Sequence, residues 1–86
     1  MPYFVYILQS LKDGTYYVGV TQDLHERLER HNQGRSMFTK GKRPWEVVYW
    51  EDHETRGSAM KRERKIKSKK DKSYIGSLVR TSRRAR

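Results

Sequence analysis

Apolar and polar residues alternate along this 86-residue chain in short blocks, and each block has the period of one kind of element. Tyr3 to Gln9 is a run of aromatic and β-branched residues, and Tyr16 to Val20 is another. Such side chains suit a pleated, half-buried surface. Between the runs, Ser10-Leu-Lys-Asp-Gly-Thr15 carries the turn pair Asp13-Gly14, so the spacing predicts a β-hairpin. In the second strand Tyr17 and Gly19 share one face, while Tyr16, Val18 and Val20 share the other. A glycine inside a strand costs stability and marks close approach by another backbone or a ligand.

Past the hairpin the period lengthens. Asp23 followed by Glu26 three residues on is a capping-box pattern, predicting a helix that runs to about Asn32 and stops at Gly34. Leu24, Leu28 and His31 recur at helical spacing and form one stripe toward the sheet, with Arg27 bordering it one turn before His31. Residues 34–44, rich in Gly, Pro and cations, predict a loop, and Trp45 to Trp50 a third strand entered from Pro44. A second helix begins at Thr55 or Ser58. A third spans Asp71 to Arg80, with Tyr74, Ile75, Leu78 and Val79 as its apolar stripe. The order β-β-α-β-α-α predicts an α+β domain, a small three-stranded and largely antiparallel sheet flanked by helices. It occupies residues 1–80, followed by a basic, disordered tail over 81–86.

On the second helix Ala59, Met60, Glu63 and Ile66 form the inward stripe. An unpaired carboxylate there would be expensive to bury. Two readings follow: an ion pair with Arg27, or a divalent-metal site facing phosphate, since a hard cation can keep one protein carboxylate plus waters and phosphate oxygens.

Composition narrows the partners. Twenty Lys and Arg stand against ten Asp and Glu, a formal charge of +10. Residues 1–33 carry three cations and four acids, and the remaining residues carry seventeen cations and six acids. The densest run, Lys61 to Lys72, reads as a solvated helix face or as a track for a phosphate backbone. With no cysteine, a disulfide framework and a thiolate zinc site are excluded. No apolar run approaches the ~18 residues of a membrane span. The start lacks the basic region of a signal peptide, so cytoplasm is the expected location. No helix pairs its cations with a broad apolar face, so the expected polyanion is nucleic acid and not a membrane surface. Nothing in the pattern calls for a small-molecule cofactor.

Taken in order, Phe4-Val5-Tyr6, ten intervening residues, and Tyr17-Val18-Gly19 resemble the paired tripeptides of the GIY-YIG nuclease superfamily. The continuation Thr21 to Gly34, with Arg27 ten residues after Tyr17, resembles that family's first helix, and Glu63 in Glu63-Arg-Lys-Ile-Lys67 resembles its metal ligand. The loop Thr39-Lys-Gly-Lys-Arg-Pro44-Trp45 before a Val-Val-Tyr strand is similar to the small stand-alone, UPF0213-like bacterial branch. The resemblance spans roughly residues 3 to 80. It implies a GIY-YIG endonuclease-like fold and a metal-dependent endonuclease that hydrolyses phosphodiester bonds, of DNA ahead of RNA, leaving a 5′-phosphate. Glu63 would hold one Mg²⁺ or Mn²⁺, Arg27 would clamp the phosphate, and Tyr17 would act as general base with Tyr6 hydrogen-bonding beside it. A phenol ordinarily ionises near ~10, so such a base needs positive charge nearby. His31 is the alternative proton acceptor. Gly19, Lys40, Lys42, Arg43, Lys61, Arg64, Lys65 and Lys67 would line the nucleic acid. The rival is a non-catalytic protein that binds DNA or structured RNA on the same scaffold. Three positions depart from the family pattern: Phe4 replaces the first motif's glycine, Val20 a frequent lysine, and Lys72-Ser-Tyr-Ile75 lacks the last helix's asparagine.

Overall fold

A computed structural model describes residues 2–69 and 72–81. Strand β1 (Tyr3–Ser10) is followed by β2 (Tyr16–Thr21), helix α1 (Leu24–Asn32), a 3₁₀ turn (Lys40–Lys42), β3 (Trp45–His53), α2 (Arg56–Lys69) and α3 (Lys72–Thr81). The three strands form one antiparallel sheet in the order β2-β1-β3, so the first strand lies at the centre. The expected architecture and element order are therefore present. The expected third-helix start at Asp71 lies outside the described residues. So does the tail beyond Thr81, and Thr81 itself closes α3.

Alternation along β1 divides the molecule into two layers. Val5 and Ile7 point into a core with Val18, Tyr49, and Ala59 and Ile66 of α2, and Tyr74, Ile75, Leu78 and Val79 of α3 close it. Tyr6 and Leu8 point to the opposite face, where Trp45, Tyr17, Val47, Trp50 and the α1 residues Leu24 and Leu28 pack. The sheet is thus covered by α1 on one side and by α2 and α3 on the other.

A bulge shifts which residues of β3 face each layer. Ile7 pairs with Tyr49 but Leu8 with Val47, so Val48 is the extra residue. An inserted residue reverses the facing of everything beyond it. Trp45 and Val47 face α1, whereas Tyr49 and Glu51 face α2. β3 also continues to His53, opposite Tyr3, three residues past the expected end.

The caps explain where the helices begin. Asp23 Oδ1 accepts a 3.0 Å hydrogen bond from the Glu26 amide. Only that half of the capping box forms: the Glu26 carboxylate turns to Arg30 at 3.0 Å, and the Asp23 amide donates to Thr21 Oγ1. Thr55 starts α2, its hydroxyl accepting from the Ser58 amide at 3.1 Å. At the hairpin turn Gly14 adopts φ 81°, a conformation that glycine reaches without penalty.

The hairpin turn is bonded to the loop ahead of β3. The Leu11 amide donates to the Pro44 carbonyl and Ser10 Oγ to the Lys42 carbonyl, at 2.8 and 2.7 Å. Lys42 Nζ reaches Asp13 Oδ2 at 2.7 Å, and the pair holds the Asp13 carboxyl well below the usual carboxylate range. Among the described residues, no helix is long and apolar enough to cross a membrane.

Candidate active site

The face covered by α1 gathers the polar side chains that its packing would otherwise exclude. Tyr6, at the middle of the central strand, is 1% exposed, and His31 at the end of α1 is 2% exposed. Tyr6 Oη stands 3.2 Å from His31 Nε2, and Thr39 Oγ1 stands 2.7 Å from His31 Nδ1. A neutral imidazole donates to one of these oxygens and accepts from the other. Burial, then Arg27 and Arg30, hold His31 below the usual imidazole value, which keeps it neutral. Burial, then the neighbouring Tyr17, push the Tyr6 phenol up, with the Arg27 guanidinium beside it pulling the other way.

Gly19 lies directly opposite Tyr6 across the β1–β2 ladder, and the tyrosine ring fills the space that a side chain would take. The close approach signalled by this glycine is that of a side chain, neither a backbone nor a ligand. Gly19 is itself buried beneath the ring and is closed to a nucleic acid. Tyr17 stands beside the pair. Its ring centroid is 6.4 Å from that of Tyr6 and 4.9 Å from His31. Among the described residues, no hydrogen-bond partner engages its hydroxyl: Tyr6 turns to His31 instead. With both ring nitrogens of His31 committed and the residue buried, the structure makes it a support for Tyr6 and not an acceptor open to water.

Arg27 borders this face at the β2–α1 corner. Its Nε is buried with no hydrogen-bond partner among the described residues. Beside it opens a cleft of about 230 Å³, lined also by Val20, Thr21, Met60 and Arg56. Two guanidinium groups at one cleft suit an anion. Val20 contributes apolar wall here.

Glu63 arrives from the other layer. Its neighbours Ala59 and Ile66 are fully buried, but Glu63 is 19% exposed and pairs through Oε2 with Lys67 at 3.2 Å. That ion pair, not one with Arg27, is the partner it takes. Lys67 Nζ in turn stands 6.0 Å from the Tyr17 ring centroid, so this edge of α2 reaches the tyrosine face around the outer strand β2. No three His, Cys, Asp or Glu side chains among the described residues form a metal cage. One carboxylate with a free oxygen suits a hard cation that keeps its waters, and does not suit zinc or calcium.

The other expected contacts fall in different places. Lys40 and Arg43 are exposed on the loop between α1 and β3, while Lys42 is taken up by Asp13. Lys61, Arg64 and Lys65 are exposed on the side of α2 turned away from Ala59 and Ile66, so only Lys67 of that group reaches the tyrosines.

Three supporting residues escaped sequence reasoning. Asn32 brackets Trp45, accepting from its amide at 2.6 Å and donating to its carbonyl at 3.1 Å. Thr39, 1% exposed, joins His31 to Trp45, whose indole Nε1 donates to the Thr39 carbonyl at 2.9 Å. A buried tryptophan needs an acceptor for its N–H, and that was the available signal. On the opposite layer, Glu51 accepts from Arg62 Nε and His53 Nε2, each at 2.9 Å, and from the Tyr49 hydroxyl. Arg62, read as one more cation of the basic run, is therefore a structural partner.

Residues 2–78 match the family model of the GIY-YIG catalytic domain. The chain is 43% identical over 67 residues to UPF0213 proteins of Staphylococcus aureus strains Mu3 and Mu50, covering 77% of this chain and 80% of each relative. Its fold is similar to the solution NMR structure of a UPF0213 protein from Bacillus halodurans, with a TM-score of 0.60 and 30% identity over 95% of this chain and 86% of that one. A paired-tyrosine hairpin, an arginine-bearing first helix and a family match over nearly the whole length converge: this chain belongs to the GIY-YIG family, as a UPF0213-like protein.

Proposed function

We propose that this protein is a metal-dependent endonuclease hydrolysing the phosphodiester backbone of DNA. The observation that carries this reading is that Tyr17, Arg27 and Glu63, from three separate elements, each lie near enough to the Tyr6 phenol to act on its charge. Each has a role that its surroundings support. Arg27, with a buried unpartnered Nε, presents a guanidinium to a non-bridging phosphate oxygen. Tyr17, whose hydroxyl is unengaged by the described residues, takes the proton of the attacking water. Lys67 Nζ, 6.0 Å from its ring centroid, places a cation beside it. Water adds to phosphorus, the bond to the 3′ oxygen breaks, and that oxygen takes a proton from solvent, leaving a 5′-phosphate and a 3′-hydroxyl. Tyr6 stays protonated and, held by His31, fixes the floor beneath Tyr17.

Glu63 is the residue to hold a single Mg²⁺ or Mn²⁺, through the oxygen that Lys67 leaves free. Such an ion, when bound, contributes positive charge to the scissile phosphate. Phosphoryl transfer depends largely on positioning and electrostatics, which is what this chain offers.

The test is cleavage of supercoiled plasmid, single-stranded and branched DNA with Mg²⁺, with Mn²⁺ and with chelator. Glu63→Ala, Tyr17→Phe and Arg27→Ala should each lower the rate by about 10²-fold or more. Wild-type cleavage no faster than Glu63→Ala on every substrate would remove the nuclease reading and leave a binding protein.

A further inference from the structure

Among the described residues Phe38 and Met37 are the most exposed large apolar ones, at 87% and 81%, yet the loop that carries them is held in place. Thr39, the next residue, is buried, with its hydroxyl 2.7 Å from His31 and its carbonyl accepting from Trp45. Arg43 Nε donates to the Lys40 carbonyl at 2.7 Å, and the Arg43 guanidinium lies over Gly34, whose φ of 77° turns the chain into the loop. An exposed aromatic on a pinned loop pays little entropy when something stacks on it. Single apolar residues on a surface are ordinary, but two adjacent ones on a fixed loop beside a candidate active site mark an interaction surface.

The charge around them selects the occupant. Arg35, Lys40 and Arg43 are exposed on the same loop, and no acidic residue lies between Gln33 and Glu46. A second copy docking by two-fold symmetry would set these cations against themselves. A partner that joins negative charge to flat apolar faces fits both features, and a nucleic acid whose bases are out of the stack has that chemistry. A perfect duplex hides those faces.

We infer that the Met37–Phe38 loop is a base-stacking platform that gives this protein a preference for single-stranded or unpaired DNA beside its active site. The inference rests on the reading that the tyrosine face meets DNA, and it supplies the substrate preference that this reading leaves open. Phe38 stacks on an unpaired base, Met37 flanks the stack with its polarisable thioether, and Lys40 and Arg43 hold the adjoining phosphates.

Binding without divalent metal tests this separately from cleavage. Single strands of about twelve nucleotides carrying 2-aminopurine, and matching duplexes, are titrated by fluorescence anisotropy with wild type, Phe38→Ala and Phe38→Trp. Phe38→Ala should weaken single-strand binding about tenfold, change duplex binding less than about twofold, and leave the salt dependence unaltered. Phe38→Trp should bind at least as tightly as wild type and quench 2-aminopurine. Equal single-strand binding by Phe38→Ala and wild type would overturn the inference, as would equal losses on both substrates or a change of oligomeric state in Phe38→Ala. Wild type that binds in the expected way but never cleaves would remove the nuclease reading alone. Cleavage by a Phe38→Ala protein with unaltered binding would remove the platform alone.

Discussion

A β-carbon added at Gly19 would stand 2.5 Å from Tyr6 Oη and 2.7 Å from Cζ. Tyr6 cannot swing aside cheaply, because its ring is buried and its hydroxyl is held at His31. Alanine ordinarily gains up to about 1 kcal/mol over glycine in a strand. Overpacking costs about 1–3 kcal/mol, and here the pinned ring makes that cost the larger. Gly19→Ala should therefore destabilise the protein by about 1–2 kcal/mol, read as a lower urea midpoint at unchanged slope. An unchanged or higher midpoint would show that Tyr6 has room to move. The sequence announced that something approaches Gly19, but not what. Its neighbour is set by the hairpin register, which places Tyr6 directly opposite, and register is a property of two strands. For the same reason His31 was legible as a polar residue on an apolar face, whereas Thr39, its second partner, was not. Nothing local distinguishes a loop threonine that will be buried from one that will not.

At the scale of elements, the Val48 bulge decides which residues of β3 face each layer. Two valines in succession carry none of the glycine signals of a bulge, so the turn of Glu51 toward α2 was illegible, and Arg62 with it. Strand and helix identities were readable because hydrophobic period and caps are local properties. Burial alone would raise the Glu51 carboxyl, but hydrogen bonds from Tyr49, His53 and Arg62 overcome it and hold the group below its ordinary value of 4.5. A carboxyl depressed in the folded state contributes stability that is fully present above the unfolded value and lost as pH falls through the folded one. Glu51→Gln should cost about 2 kcal/mol at neutral pH, because Arg62 is left mostly buried without its counter-charge. It should also flatten the decline in stability below about pH 4.5. Thermal unfolding from pH 3 to pH 7 checks both, and an acid limb identical to wild type would show that Glu51 carries no such linkage.

Across the whole molecule the +10 charge is sorted by task more finely than composition could show. Arg62 and Lys42 are taken up in internal pairs, Lys67 stands at the tyrosine face, and Lys61 and Lys65 look outward from α2. DNA held at the tyrosine face should therefore sense these cations unequally. Lys40→Ala should reduce the slope of log K against log salt by about one, whereas Lys61→Ala should leave it unchanged. Equal slope changes for the two would mean that DNA wraps α2 on its outer side. Which cations are already committed was beyond the sequence, since Lys42 and Asp13 meet only after the chain has folded back between them. That meeting has a practical consequence. The hairpin turn and the segment from Gly41 to Pro44 form one unit, joined through Ser10, Leu11, Asp13 and Lys42, although about thirty residues of chain separate them. A chimera that exchanges the Met37–Phe38 loop between relatives must carry residues 10–15 along with residues 34–44. Transplanting the loop alone would leave it without its mooring, so the portable module here is discontinuous.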